Sequence, residues 1–163
     1  MANLITVENT RFIFNTNFAG DPRADKFRSD ERKGNIVLPE HLALELRADG
    51  FNVRETLPRE GDGPEFEPEY YIVVKANYGS KYPPKIYMVA GEGAEPVLLH
   101  ESSLVEIDRM RVKNVNVVLN PYENPNTGKR SLYIRTMYVE QAVESDPFAA
   151  RYARPRRDAD LPF

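Results

Sequence analysis

The clearest alternation of apolar and polar positions runs from Tyr70 to Tyr78. Tyr70, Ile72, Val74 and Ala76 share one parity, while Tyr71, Lys75 and Asn77 share the other. That period of two is what a half-buried strand requires. An earlier strand is predicted over 11–18, rich in aromatic and β-branched residues, with Phe12, Phe14 and Phe18 all facing one side. The stretch 19–35 is polar with mixed charges and reads as a loop. A helix is predicted over 39–49: Pro39 suits a first turn, Leu42 and Leu46 repeat at i,i+4, and Gly50 suits the C-terminal cap. A strand over 51–57 runs into the Gly/Pro/Glu-rich loop 58–68. Short strands follow at 85–90 and 96–100, parted by the turn Gly91-Glu92-Gly93.

Two long strands, 110–119 and 129–140, close the pattern. In the first, apolar residues begin on even positions (Met110, Val112) and finish on odd ones (Val115, Val117, Leu119). A change of phase near Asn114 predicts a β-bulge or a strand bending from one sheet into another. In the second, Leu132 and Ile134 alternate with Tyr133 and Arg135, and the Asn/Pro/Gly-rich segment 120–128 joins the two. Beyond Glu144 periodicity disappears. The pattern therefore predicts a mainly β domain over 1–143, with five to seven strands, one or two helices and long loops, followed by a flexible tail over 144–163. Bent strands suit a small closed barrel, although periodicity does not separate a barrel from a sandwich.

Charge changes this picture more than composition does. The net charge is −3, against the usual expectation for a nucleic-acid binder. The charges are segregated, however. Six acidic residues lie between Glu55 and Glu69 against Arg59 alone, and six basic residues lie between Arg109 and Arg135 against Glu123 alone. An acidic chain can thus present a basic face to phosphates. Cysteine is absent, which removes disulfides, thiolate metal sites and cysteine nucleophiles and suits a reducing cytoplasm. No stretch has the length of a membrane span or the pattern of a signal peptide.

Enzymatic chemistry finds little support. His41 and His100 lack a third ligand at a useful spacing, and no phosphate-cradling glycine loop or nucleophile elbow is present. The expectation is no catalytic residue, no metal and no cofactor. Tyrosines instead alternate with cations in three clusters: Tyr71 with Lys75; Tyr78, Lys81, Tyr82, Lys85 and Tyr87; and Lys129, Arg130, Tyr133 and Arg135. Flat rings on which bases stack, interleaved with cations that track phosphates, are what single-strand binding needs. Arg111 and Lys113 join the candidate set. Any one tyrosine in such a pattern is more often a core or cross-strand packing residue, and it is the clustering that raises the binding reading.

The last six residues, Asp158-Ala159-Asp160-Leu161-Pro162-Phe163, add a second signal. Phe163 offers a ring and its own α-carboxylate to a partner's apolar pocket with a basic lip. Pro162 stiffens the peptide and lowers its ordering cost, and Asp158 and Asp160 add longer-range attraction. This tip, with Leu161, resembles the acidic tip of bacterial and phage single-stranded DNA-binding proteins. The body is similar to the phage type in the order of its elements: an aromatic first strand, the helix, the Tyr/Lys strands, Ile107-Asp108-x-x-x-Val112, and Leu132-Tyr133-x-x-x-x-Tyr138-Val139. The resemblance implies an OB-fold-like five-stranded barrel. It also implies a cytoplasmic protein that coats single-stranded DNA with little sequence preference and recruits replication, recombination or repair proteins through the tip, with a possible homo-oligomer. The helix falls earlier than in the bacterial type, and Arg151, Arg154, Arg156 and Arg157 precede the tip. Those arginines could bind DNA or fold the tip back onto the acidic loop 58–68. The rival readings are a structural or interaction protein of a phage particle, a strand-annealing or nuclease-inhibiting mediator, and a nuclease.

Overall fold

The computed structural model describes residues 3–142, residue 92 excepted. In chain order they form β1 (Ile5–Thr10), β2 (Phe12–Asn17), β3 (Arg32–Leu38), α1 (Glu40–Ala48), β4 (Arg54–Glu55), β5 (Tyr70–Ala76), β6 (Lys85–Val89), β7 (Val97–Leu98), α2 (Val105–Arg109), β8 (Val112–Glu123) and β9 (Arg130–Gln141). The mainly β architecture follows the expectation, but nine strands form where five to seven were expected, and among the described residues no ladder closes the sheet into a five-stranded barrel. The described strands join one nine-stranded sheet in the order β1-β8-β9-β5-β3-β2, with β4 on β5, β6 on β9 and β7 on β6. No ladder joins β1 to β2. They are consecutive, with Arg11 alone between them, so the chain itself bridges the two ends of the curled sheet. The tail over 144–163, and with it Asp158, Asp160, Leu161, Pro162 and Phe163, lies outside the described residues.

The hairpin of β8 and β9 is the spine. Its register slips at two places. Val112 and Asn114 oppose the adjacent residues Gln141 and Glu140, which leaves Lys113 as an extra residue at the phase change seen in the sequence. Val118 and Leu119 oppose Thr136 and Ile134, which leaves Arg135 as the extra residue on β9. Before Arg135 the inward residues of β9 are Leu132 and Ile134; after it they are Met137 and Val139, all four buried. The switch coincides with a change of neighbour. β5 lies parallel to β9 at Leu132 and Tyr133, and β6 lies parallel to it from Thr136 to Glu140.

Details of the expected pattern are corrected as well. The polar stretch 19–35 is not loop throughout, because Arg32–Leu38 forms β3 in full register with β5. Its inward residues are Gly34, Ile36 and Leu38, and the glycine conceals the alternation. A Cβ on Gly34 would stand 3.0 Å from the Phe18 ring and 3.1 Å from Thr16 Cγ2, so the buried ring takes the space a side chain would fill. The second correction is Phe14. Phe12 packs against the core and Phe18 is fully buried, but Phe14 has φ +65° and is 54% exposed. The left-handed residue interrupts the β2–β3 register between Ile13 and Asn17 and turns the ring outward. Elsewhere α1 matches its predicted span, with Pro39 at the N-cap and Gly50 at φ +91° beyond the last turn. The strand expected over 51–57 shrinks to β4, preceded by a bridge from Phe51 to Arg130.

Two carboxylates fix the ends of these strands. Asp108 on α2 accepts from Thr16 Oγ1 at 2.6 Å and from the backbone N–H groups of Phe18 and Ala19 at 2.8 Å each. It thereby satisfies the donors that β2 leaves unpaired where it ends. Replacing Asp108 with Ala should cost about 1–3 kcal/mol in urea unfolding, the usual range for orphaning buried donors; a loss below about 0.5 kcal/mol would contradict this role.

Asp25, buried in the loop after β2, accepts from Lys33 Nζ at 2.7 Å and from the N–H groups of Phe27 and Ser29 at 2.7 and 3.0 Å. The Lys33 ammonium, helped by these amides, lowers its pKa to about 2. A carboxylate held below its unfolded pKa stabilises the fold fully above about pH 4, and that contribution is lost as pH falls toward 2. Acid titration of stability should therefore show a component between pH 4 and 2 that Asp25→Asn removes; an unchanged profile in that variant would contradict it.

Candidate nucleic-acid interface

One outer face of the sheet collects flat rings and cations. Across the strands, Lys33 on β3 faces Lys75 on β5, Lys75 faces Tyr133 on β9, and Tyr133 faces Asn120 on β8. Alternation places all four on the side opposite the core. On β5 the same face carries Tyr71 and Val73. Phe14, turned outward by its left-handed backbone, meets Tyr71 edge-on with centroids 5.1 Å apart. Tyr122 meets Tyr133 in the same manner at 5.7 Å.

A groove of about 500 Å³ crosses this face, running from Phe14 and Tyr71 past Val73 to Ser131. Six basic side chains line it (Lys26, Lys33, Arg54, Lys75, Lys129 and Arg130), against the acidic Asp25 and Glu31. Their bonding differs. Lys33 is held by Asp25, and Lys75 by Glu31 at 3.1 Å. No ion pair holds Lys26, Arg54 or Lys129 among the described residues, which leaves three cations for an anion from outside. Arg130 is tied into the scaffold: its guanidinium lies 4.7 Å from the Phe51 ring centroid, donates to the Asp49 carbonyl at 2.5 Å and pairs with Glu123 at 3.7 Å.

The sequence-derived candidates thus separate into groups. Tyr71, Lys75, Lys129, Arg130 and Tyr133 come together on this face. Lys85 and Tyr87 lie on another sector of the sheet beyond the Arg135 bulge, where Tyr87 stacks on Tyr138 at 4.8 Å and 9°. Lys113 belongs to that sector and pairs with Glu140 at 3.4 Å. Arg135 is exposed at the bulge itself, and Lys81 and Tyr82 are exposed between β5 and β6, Tyr82 by 80%. Arg111 is exposed just before β8, and its carbonyl accepts from the Ala142 N–H at 2.8 Å. Tyr78 packs against the core, its hydroxyl without a hydrogen-bond partner among the described residues and its ring 5.9 Å from the Arg32 guanidinium carbon. Burial pushes its phenol pKa up.

Sequence reasoning did not single out Phe14, Phe27, Lys26, Lys33 or Arg54. Lys33 was legible in principle, since it stands on the outward parity of β3 once that strand is recognised. No sequence signal marks Phe14, because the backbone reversal that exposes it belongs to a residue type that rarely adopts it. Among the described residues there is no grouping of three or more His, Asp or Glu side chains able to hold a metal ion.

Residues 1–162 match the family model of the phage ssDNA-binding domain. Among solved structures, the chain is similar to the single-stranded DNA-binding protein from bacteriophage Enc34 in complex with ssDNA, at 14% identity over 86% of this chain and 88% of that one, with a TM-score of 0.51. A C-terminal truncation of the Enc34 protein gives 15% identity, 86% and 87% coverage, and a TM-score of 0.50. No curated protein matches in sequence. At such low identity the structural likeness speaks for the fold, which is mainly β and OB-fold-like. The family model spans nearly the whole chain, and the chain belongs to the family of phage ssDNA-binding domains.

Proposed function

We propose that this chain coats single-stranded DNA along the outer face of β2, β3, β5 and β9, with little sequence preference and no chemistry on the strand, during replication, recombination or repair. The observation that carries this reading is the groove itself, in which six cations and two carboxylates are gathered on a chain of net charge −3. Bases would stack on Phe14, Tyr71, Tyr122 and Tyr133, and every base has a face to offer, so stacking is tolerant of sequence. Phosphates would meet Lys26, Arg54 and Lys129 first, with Lys75 shared between the strand and Glu31. Arg130 and Tyr78 act as scaffold. The C-terminal peptide, with Asp158, Asp160, Leu161, Pro162 and Phe163, serves as the element that recruits replication, recombination or repair proteins and leaves the DNA alone.

Fluorescence anisotropy with labelled oligo-dT over a salt series tests the first part. Binding should be tight at low salt and weaker for duplex, and each phosphate contact should add about −0.7 to the slope of log K against log salt. Lys129→Ala should lower that slope by one such step. Tyr133→Ala should cost about 1–3 kcal/mol of affinity, while Tyr87→Ala changes little. Negligible affinity at low salt, or equal affinity for duplex, would sink the proposal.

Phe14 allows a sharper separation of binding from folding. Its left-handed backbone stores about 1–3 kcal/mol of strain, which glycine would relieve. Phe14→Gly should therefore weaken oligo-dT binding without lowering Tm; a variant that binds normally would remove the ring from the site. For the tip, deleting Leu161–Phe163 should leave DNA affinity intact or slightly raised and abolish capture of partner proteins. Loss of DNA binding in that truncation would show that the tip has another job.

A further inference from the structure

The segment between β4 and β5 is more than an acidic spacer. Its neck is fastened twice between Thr56 and Glu69: Thr56 N–H donates to the Glu69 carbonyl, and Glu69 N–H to Thr56 Oγ1, each at 2.9 Å. Inside the neck, Arg59 N–H donates to Asp62 Oδ2 at 2.6 Å and Phe66 N–H to the Gly63 carbonyl at 3.1 Å. The folded loop and the edge of β2 enclose a second groove, of about 710 Å³, distinct from the basic one. Its floor is apolar, formed by Ile13, Phe14, Leu57, Phe66 and Tyr71, with Leu57 80% exposed.

The rim of this groove is acidic and only partly neutralised. Glu55 pairs with Arg47, and Glu69 pairs with Arg11. Glu67 and Asp62 also line the groove, with Arg59 the one cation of its lining; Glu60 and Glu65 stand in the same loop, and no ion pair holds these four acids among the described residues. Such a surface repels a phosphate backbone. It suits a peptide whose cations have flat, weakly hydrated heads and apolar stems, which is the description of arginine.

The chain carries such a peptide. Arg151-Tyr152-Ala153-Arg154-Pro155-Arg156-Arg157 has four arginines, one ring and no acid in seven residues. It also starts close enough. The last described residue, Ala142, is hydrogen-bonded to Arg111, and the next residue, Val112, lines a depression together with Arg11 and Phe14. Arg11 pairs with Glu69 at the loop neck, and Phe14 lines the acidic groove. Eight residues separate Ala142 from Arg151, a reach of roughly 30 Å when extended.

We propose that the apolar, acid-rimmed groove of loop 56–69 is the docking site of the chain's own Arg151–Arg157 segment. Docking neutralises the acidic loop where it borders the basic groove, since Phe14 and Tyr71 line both. It also holds the Asp158–Phe163 peptide at one end of the DNA-binding face, away from the cations that would otherwise attract it. This inference rests on the charge and reach of the segment and stands whether or not the basic groove holds DNA.

Zero-length carbodiimide cross-linking of the full chain tests it directly. A variant carrying Arg154→Lys and Arg157→Lys keeps the charge and supplies amines for coupling to carboxylates. At low salt and without DNA, mass spectrometry should find these two positions joined to Glu60, Asp62, Glu65 or Glu67 within single chains. The links should vanish at 1 M salt, where the Debye length is about 3 Å, and when the four acids are changed to Gln or Asn. Links only to Asp158, Asp160 or acids outside the loop would overturn the proposal, as would links found only between two chains. Hydrogen exchange gives an independent reading: loop 56–69 should be more protected in the unaltered chain than in a variant with all four arginines changed to Ser, with β8 and β9 alike in both. Unchanged protection in that variant would also overturn it.

Discussion

Everything in this fold depends on one extra residue in β9. Side chains alternate along a strand with a period of two. In an unbroken β9, the parity that buries Leu132 and Ile134 would turn Thr136 and Tyr138 inward and push Met137 and Val139 into solvent. Arg135 absorbs the mismatch, and Leu132, Ile134, Met137 and Val139 are all buried. The bulge also hands β9 from one neighbour to another, β5 before it and β6 after it. The outer surface is divided by the same event. Tyr133 joins the face of β3 and β5, while Tyr138 stacks with Tyr87 on a separate sector.

Charge is distributed by the same geometry. The acidic excess of the chain is concentrated in the folded loop between β4 and β5, and the cations of β3, β5 and the β8–β9 turn converge on the adjoining groove. Phe14 and Tyr71 form the wall between two regions of opposite sign. A strained aromatic residue at that boundary has little to do with folding, since its ring is more than half exposed. The Asp25–Lys33 pair, whose carboxylate is buried, ties the loop after β2 to β3 at the lining of the groove, while Lys26, Arg54 and Lys129 remain open to an external anion.

Much of this was legible in the sequence, for identifiable reasons. The alternation of Tyr70–Ala76 is preserved because one side of β5 meets the core and the other does not. The phase change near Asn114 announced the bulge at Lys113 because both flanks of β8 keep their apolar parity. β3 was hidden because its inward row begins with Gly34, whose missing side chain is supplied by the Phe18 ring. The tyrosine clusters pointed to a surface of rings and cations but could not sort its members. Tyr78 turns to pack, Tyr87 lies beyond the bulge, and Phe14 escapes notice because its exposure is decided by a backbone angle. Grouping by proximity in sequence fails where strands from distant parts of the chain meet.

The central claim is that single-stranded DNA lies on the face of β2, β3, β5 and β9. Ultraviolet cross-linking of oligo-dT to the full chain, with the modified residues identified by mass spectrometry, addresses it most directly. The account predicts adducts at Phe14, Tyr71, Tyr122 or Tyr133, next to Lys129 and Arg54. Adducts confined to Tyr87 and Tyr138, on the far side of the Arg135 bulge, would contradict it.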